Sequence, residues 1–549
     1  MQSLTLSQRL AATAIRTSEG TPAPLQAGQA RPQLALLCFL LFAWVVEAAG
    51  FDLIIRNARV IDGTGAPGVQ ADVAIEHGRI VSVGRIKDAG RQELDAAGLT
   101  VAPGFIDVHT HSEDLPALPQ AENFLRMGVT TIVTGNCGGS KLNVAEFFRT
   151  LEATNVTLNV ATLIGHNTVR NQVMGGSFKR PPTTGELAQM KTLVAAAMKD
   201  GAIGLSTGLI YLPGTFAKTD EIVELARVAS AHGGIYVSHM RHETTRIFEA
   251  LDELFTIARE ANIPAQVSHL KLSGPSAWNK ADRVLAALNR ARAGGLVIHH
   301  DQYAYTASST GLAQTIPSDT REGGTKKLVE RLADPATKAR VVAEMKETLR
   351  KGGRKDYDYV VIASCKKDPS LNGKTIPAIA TLKHGDDSLD NQIEVILDIE
   401  TNGGASAVYH GMSEPDLRKF LAHPDTMVAS DGGPRRFGEG VPHPRSYGNN
   451  ARVLGRYVRD LKLLTLEEAV RKMTSLPARA FRLKDRGEIK RGFVADLVVF
   501  DPSQVSDPAT FEKPHAYAVG FTHVFVNGVA VIRDGELTGA HPGKPVKLD

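Results

Sequence analysis

"PGFIDVHTHSEDL", residues 103–115, closes an apolar run with two histidines one residue apart. In an extended strand, residues i and i+2 project from the same face, so His109 and His111 leave the strand's carboxyl end pointing the same way. One strand thereby offers two nitrogen ligands to one metal. Seventeen histidines in 549 residues also yield an occasional His-x-His by chance. The reading therefore depends on whether ligand-type residues recur at other strand ends.

They do. The runs "GFIDVHTH", "TTIVTGNC", "TLNVATLIGHN", "AIGLSTG", "IYVSHM", "AQVSHL", "LVIHHDQY" and "MVASDG" are apolar and strand-like. They alternate with amphipathic stretches such as "TGELAQMKTLVAAAMKDG" and "TDEIVELARVASAHG", whose Ser/Thr/Asp starts and Gly ends punctuate helices. Eight strands alternating with helices predict an α/β fold, a (β/α)8 TIM-like barrel with its active residues at the strands' carboxyl ends. His109 and His111 close the first strand, Cys137 the second, His239 the fifth, His269 the sixth and Asp431 the last. Any one of them alone reads as a buried histidine, a small core residue or a helix cap. Four imidazoles, a thiol and a carboxylate converging on one mouth read as zinc chemistry. His166, His299 and His300 also lie near strand ends and are read as supporting or structural; His232, His242 and His423 read as helix-end or surface residues.

Outward from the barrel, "FDLIIRNARVIDGTGAPGVQADVAIEHGRIVSVG" near the start, and "GFVADLVVFDP" with "HVFVNGVAVIRDGELTG" near the end, show short alternating strands between Gly, Asp and Asn turns. Neither makes a good β core alone, so residues 50–103 and 481–549 are expected to pair into one small β-sandwich domain. Residues 104–480 then form the barrel, with an insertion after the seventh strand at about 308–370.

The chain is too long for a single small binding module. With 63 basic and 59 acidic residues, a net charge of +4 and no long like-charge block, it offers no electrostatic case for nucleic acid. Residues 1–49 read as a leader: Arg9, Arg16 and Arg31 precede an apolar run at residues 34–46. That run is short of the roughly 20 residues a membrane-spanning helix needs. Small residues follow it, so a signal peptide cleaved near Ala48 or Ala49 is expected, with export to the periplasm or medium; an uncleaved anchor is the alternative. Export leaves Cys137 and Cys365, which could instead pair as one disulfide.

From Phe51 onward the sequence resembles the N-acyl-D-amino-acid deacylases (D-aminoacylases) of the amidohydrolase superfamily. The resemblance rests on "GFIDVHTHSE", "TGNCG", "GLIYLPG", "SHMRHE", "SHLKLSG", "HHDQYAYTASST", "ASDG", "HPRSYGNNARVLGRYVR", "SLPARAF" and "RGFVADLVVFDP". It implies zinc-dependent hydrolysis of N-acyl-D-amino acids, a small-molecule substrate, to a carboxylate and a free D-amino acid, with zinc-activated water as nucleophile. It further implies that Cys137, His239 and His269 hold a tight zinc, and that His109, His111 and Asp431 form a weaker second site. Asp431 would also carry the proton, Tyr211 would polarise the scissile carbonyl, and Lys271, Tyr303 and Arg445 would hold the substrate's α-carboxylate.

Two departures stand out. "GGPRRFGEGVP" adds Arg435 and Arg436 near the mouth, and "GLAQTIPSDTREGG" replaces a more hydrophobic lid, close to where members acting on acidic D-amino acids carry an arginine; Arg321 lies near. The enzymatic alternative is another linear or cyclic amide hydrolase, dihydropyrimidinase-like or isoaspartyl-dipeptidase-like. Those normally use a bridging carboxylated lysine, against which "TGNCG" argues. A non-catalytic barrel that only binds is the alternative from outside enzymology.

Overall fold

A computed structural model describes residues 50–176 and 178–548. The leader at residues 1–49, with its expected signal peptide, lies outside them. Among the described residues no helix is long and apolar enough to cross a membrane.

Eight parallel strands follow the expected order: β1 (Phe105–Asp107), β2 (Val129–Thr134), β3 (Asn159–Thr162, continued by Ile164–Gly165), β4 (Gly204–Gly208), β5 (Ile235–His239), β6 (Ala265–Val267), β7 (Ile298–Gln302) and β8 (Thr426–Val428). Pairing runs β1–β2–β3 and β4 through β8, and Ile164–Gly165 pairs with β4. The ring closes between its first and last members: Asp431 N donates to His109 O at 2.9 Å and His111 N to Gly432 O at 2.7 Å. Most of these strands are apolar or β-branched runs because helices cover the outside and side chains fill the inside; β4 (GLSTG) and β7 (IHHDQ) carry polar residues that are largely buried. Ile106, Val133, Leu163, Ile203, Val237 and Met427 pack in one interior cluster, so the barrel is filled below its mouth.

Local sequence sets the crossovers. The helix Thr184–Lys199 between β3 and β4 starts with a capping box: Glu186 N donates to the Thr183 hydroxyl, and the Glu186 carboxylate accepts from Thr183 N. The two chain ends meet in a nine-stranded sheet whose central contact is Thr100–Pro103 antiparallel to Leu497–Phe500. Leu53, Ile55, Val73, Leu497 and Val499 share its apolar cluster.

Between β7 and β8 sits an α/β insert with its own core, including Val341, Ile362, Ile379 and Ile396. Its sheet is antiparallel, with Ser406–Tyr409 between Ser308–Gly311 and Val360–Ser364. The insert therefore runs to Tyr409, beyond the boundary near 370 expected from sequence. "ASAVYHGM" is as apolar as a barrel strand, and only its two antiparallel partners place it in the insert.

Candidate metal centre

All six ligand-type residues stand at or just beyond strand ends, at the same mouth. Cys137, His269 and Asp431 have φ of 53°, 35° and 51°. Left-handed backbone at three non-glycine residues is strain held in place by the surrounding fold, and it turns each side chain back over the barrel axis. Gly208 permits a close approach: a Cβ there would lie 2.1 Å from Cys137 O.

The side chains converge. Cys137 Sγ lies 3.3 Å from His109 Nε2, 3.7 Å from His239 Nδ1 and 3.8 Å from His269 Nε2. Asp431 Oδ1 lies 3.1 Å from His111 Nε2 and 3.6 Å from His109 Nε2. Three overlapping triplets result, each with ligand atoms within 4.8 Å of one another: Cys137–His239–His269, His109–His111–Cys137 and His109–His269–Asp431. Cys137 belongs to two of them. A thiol with imidazoles and a carboxylate is a donor set that fits zinc. Both cysteines are free, so the disulfide alternative is not formed.

Charge has been arranged for cation binding. Burial alone would raise the Cys137 thiol, but His109, His111 and His239 hold it well below the usual thiol range. Burial would likewise raise Asp431, yet Arg445 foremost, with His109 and His111, holds it well below the usual carboxylate range. Desolvation disfavours charge on His111, but Asp431 and Cys137 push it up to about 10.

The supporting carboxylates are residues that sequence reading missed. Glu243 Oε1 sits 3.1 Å from His269 Nδ1 and accepts from Lys271 Nζ at 2.5 Å; Oε2 sits 3.7 Å from His239 Nε2. Asp301 Oδ1 lies 3.4 Å from His109 Nδ1 and accepts from His269 N at 2.9 Å. A carboxylate behind a histidine that could ligate a metal fixes its ring orientation and tautomer. Their signal lay in motifs already noticed: Glu243 ends "SHMRHE" and Asp301 follows the histidines of "HHDQY".

The other expected residues surround the cluster. Burial holds the Tyr211 phenol well above its ordinary range, and Thr310 donates to its oxygen at 3.2 Å. Arg445 Nη2 pairs with Asp431 Oδ2 at 2.9 Å, whereas Nη1 has no partner. The Tyr303 ring is a platform, 4.6 Å from Arg445 Cζ and 6.0 Å from Lys271 Nζ. Its hydroxyl donates to Met412 Sδ at 3.4 Å. Arg321 donates to Gln314 at 3.2 Å. His166 is buried against Glu221 at 2.8 Å, and His300 against Thr426 at 2.7 Å; both are structural.

Residues 92–532 match the amidohydrolase family. The chain is 37% identical to a D-aminoacylase of Alcaligenes xylosoxydans xylosoxydans over 523 residues, 91% of this chain and 98% of that relative. A crystal structure of D-aminoacylase described as defining a novel subset of amidohydrolases superposes with a TM-score of 0.77 at 36% identity, covering 90% of this chain and all of that one. An N-acyl-D-glutamate deacylase from Bordetella bronchiseptica, solved with zinc and a phosphonate mimic of the tetrahedral intermediate, gives 0.77 at 33% identity over 91% of this chain and all of its own. With the barrel, the strand-end ligands and these likenesses in agreement, the chain belongs to the amidohydrolase family.

Proposed function

We propose that this protein is a zinc-dependent hydrolase that cleaves N-acyl-D-amino acids to a carboxylate and a free D-amino acid. The observation that carries the reading is the buried Cys137–His239–His269 triad with Asp431 and Tyr211 beside it. Cys137, His239 and His269 would hold the tight zinc; His109, His111 and Asp431 would form the weaker second site. Bound zinc supplies a Lewis acid for the amide oxygen and lowers the pKa of water towards 7.

The chain's own groups supply the rest. Asp431, held ionised by Arg445, accepts a proton from the attacking water and delivers it to the departing nitrogen, since an unprotonated amine anion is a prohibitive leaving group. Tyr211 stays protonated, and because Thr310 donates to its oxygen, its own proton is free for the developing oxyanion. The unpartnered Arg445 Nη1, with Lys271 close by over the same Tyr303 ring, suits an α-carboxylate.

A chamber of about 330 Å³ beside Glu243 is walled by Ile210, Tyr357, Tyr359 and Tyr409; of the two arginines that also line it, Arg241 is paired with Glu253 and Arg354 lies 3.6 Å over the Tyr359 ring, so the aromatic wall suits a neutral side chain. With the amide at the metal and the carboxylate at Arg445 and Lys271, a side chain directed into that chamber fixes one hand at Cα. Residues 34–46 support export before the protein acts.

The test is chelation and reconstitution. Turnover of N-acetyl-D-leucine should vanish when zinc is stripped and return when zinc is restored; turnover indifferent to metal would contradict the reading.

A further inference from the structure

The strand Ser308–Gly311 divides the space over the metal cluster, with Thr310 lining both halves. One half is the tyrosine-walled chamber. The other, of about 460 Å³, opens beside His111 and Asp431 and is lined by Lys366, Arg435, Arg436 and Arg445 against only two carboxylates, Asp431 and Glu439. Arg445 is taken by Asp431, and Arg436 lies 3.9 Å from Glu439. Lys366 and Arg435 have no carboxylate partner among the described residues.

The loop that carries Arg435 is pinned rather than free. Arg435 N donates to the buried Asn123 Oδ1 at 3.2 Å, Gly438 N donates to His515 Nδ1 at 3.2 Å, and His515 Nε2 donates to Gly440 O at 2.9 Å. Phe437 packs 5.0 Å from the Tyr517 ring, and Val441 N donates to Ala363 O at 2.8 Å. Lys366 follows the strand Val360–Ser364 and the anchored Cys365, whose N donates to Asn372 Oδ1. Two cations without anions are thus presented by fixed backbone to a chamber that opens on the reacting centre.

A trans amide directs its two substituents away from each other across the C–N bond. If the amino-acid side chain enters the tyrosine chamber, the acyl arm extends into the basic one. We propose that this acyl arm ends in a second carboxylate received by Lys366 and Arg435, so that the preferred substrates are dicarboxylic monoamides of D-amino acids, such as N-succinyl-D-amino acids. This rests on the deacylase reading above. The reaction is the same hydrolysis: water adds across the C–N bond, releasing a dicarboxylate and the free D-amino acid.

The test compares the zinc-loaded enzyme on N-succinyl-D-leucine, N-butanoyl-D-leucine and N-acetyl-D-glutamate, in wild type and in Lys366→Ala/Arg435→Ala. Both residues are exposed and unpaired, so the variant should fold. A charge-assisted contact predicts kcat/KM about tenfold higher for succinyl than for butanoyl in wild type, with that ratio collapsing towards one in the variant. A wild-type ratio near one, or a ratio that survives in the variant because both substrates fall equally, overturns the proposal. So does a variant-sensitive preference for N-acetyl-D-glutamate instead, which would put the second carboxylate on the side chain. Calorimetric binding of free succinate against butyrate separates the two readings. Tight, variant-sensitive succinate binding without hydrolysis of any amide would keep this chamber's assignment and sink the deacylase; hydrolysis of N-butanoyl-D-leucine with no succinate preference would do the reverse.

Discussion

Asp431 is held between a guanidinium and an imidazole: Arg445 Nη2 lies 2.9 Å from Oδ2, and His111 Nε2 lies 3.1 Å from Oδ1. The carboxylate proposed to carry the proton is thereby kept ionised although it is buried. Removing the guanidinium should let it protonate at higher pH. In Arg445→Ala the acid limb of the kcat/KM profile should move up by about 1–3 pH units, with KM also raised. Arg445→Lys should hold the limb near its original place while still raising KM, because it restores charge but not the fork. An unmoved acid limb in Arg445→Ala, read from pH–rate profiles, would detach Arg445 from Asp431's chemistry.

Cys137 is shared between two ligand triplets. Cys137→Ala should therefore lose the tight zinc and bring turnover to background, while circular dichroism reports an unchanged fold. Zinc counted by elemental analysis decides it: full zinc in an active Cys137→Ala protein removes the thiol from the centre.

Buried Lys271 pairs at 2.5 Å with the largely buried Glu243, so Lys271 cannot be treated as an isolated binding group. Lys271→Ala leaves the Glu243 carboxylate with His269 Nδ1, at 3.1 Å, as its remaining close partner and should cost stability, at most about 3–5 kcal/mol, as well as raising KM. Lys271→Met combined with Glu243→Gln should recover most of the stability without recovering KM. Thermal denaturation and steady-state kinetics on the same preparations check both halves; a double variant that regains KM would remove Lys271 from substrate binding.

Gly208→Ala would set a Cβ 2.1 Å from Cys137 O and 2.7 Å from Tyr211 Cδ2, neither of which can yield without moving a functional residue. Zinc affinity and kcat should both fall. Gly185→Ala, in the helix Thr184–Lys199 with open space around its Cβ position, is the matched control and should be neutral or stabilising by about 0.5–1 kcal/mol. Equal behaviour of the two variants would mean that the close approach at Gly208 does not position the centre.

The barrel was legible because most of its strands are apolar runs ending in Gly, Asp or polar residues, and each of the eight runs proposed from sequence lies in a barrel strand. The convergence of the ligand-type residues was legible because strand ends in such a ring point to one mouth. What a single sequence does not show is which side chain stands behind another. Glu243 and Asp301 act across strands, on His269 and His109, and no local spacing encodes that. The far boundary of the insert was hidden for a similar reason: Ser406–Tyr409 gains its identity from two partners distant in sequence. The Arg445–Asp431 pair, 14 positions apart, depends on the turn after β8 and the helix Arg445–Arg452 returning over the mouth.

The central claim is tested most directly by amine release from matched N-acetyl-D- and N-acetyl-L-leucine, with zinc counted in the same preparation. The account predicts turnover of the D substrate alone, with about one tightly held zinc per chain supplied by a site of this type. Turnover of the L substrate, or of neither enantiomer by zinc-loaded protein, would contradict it.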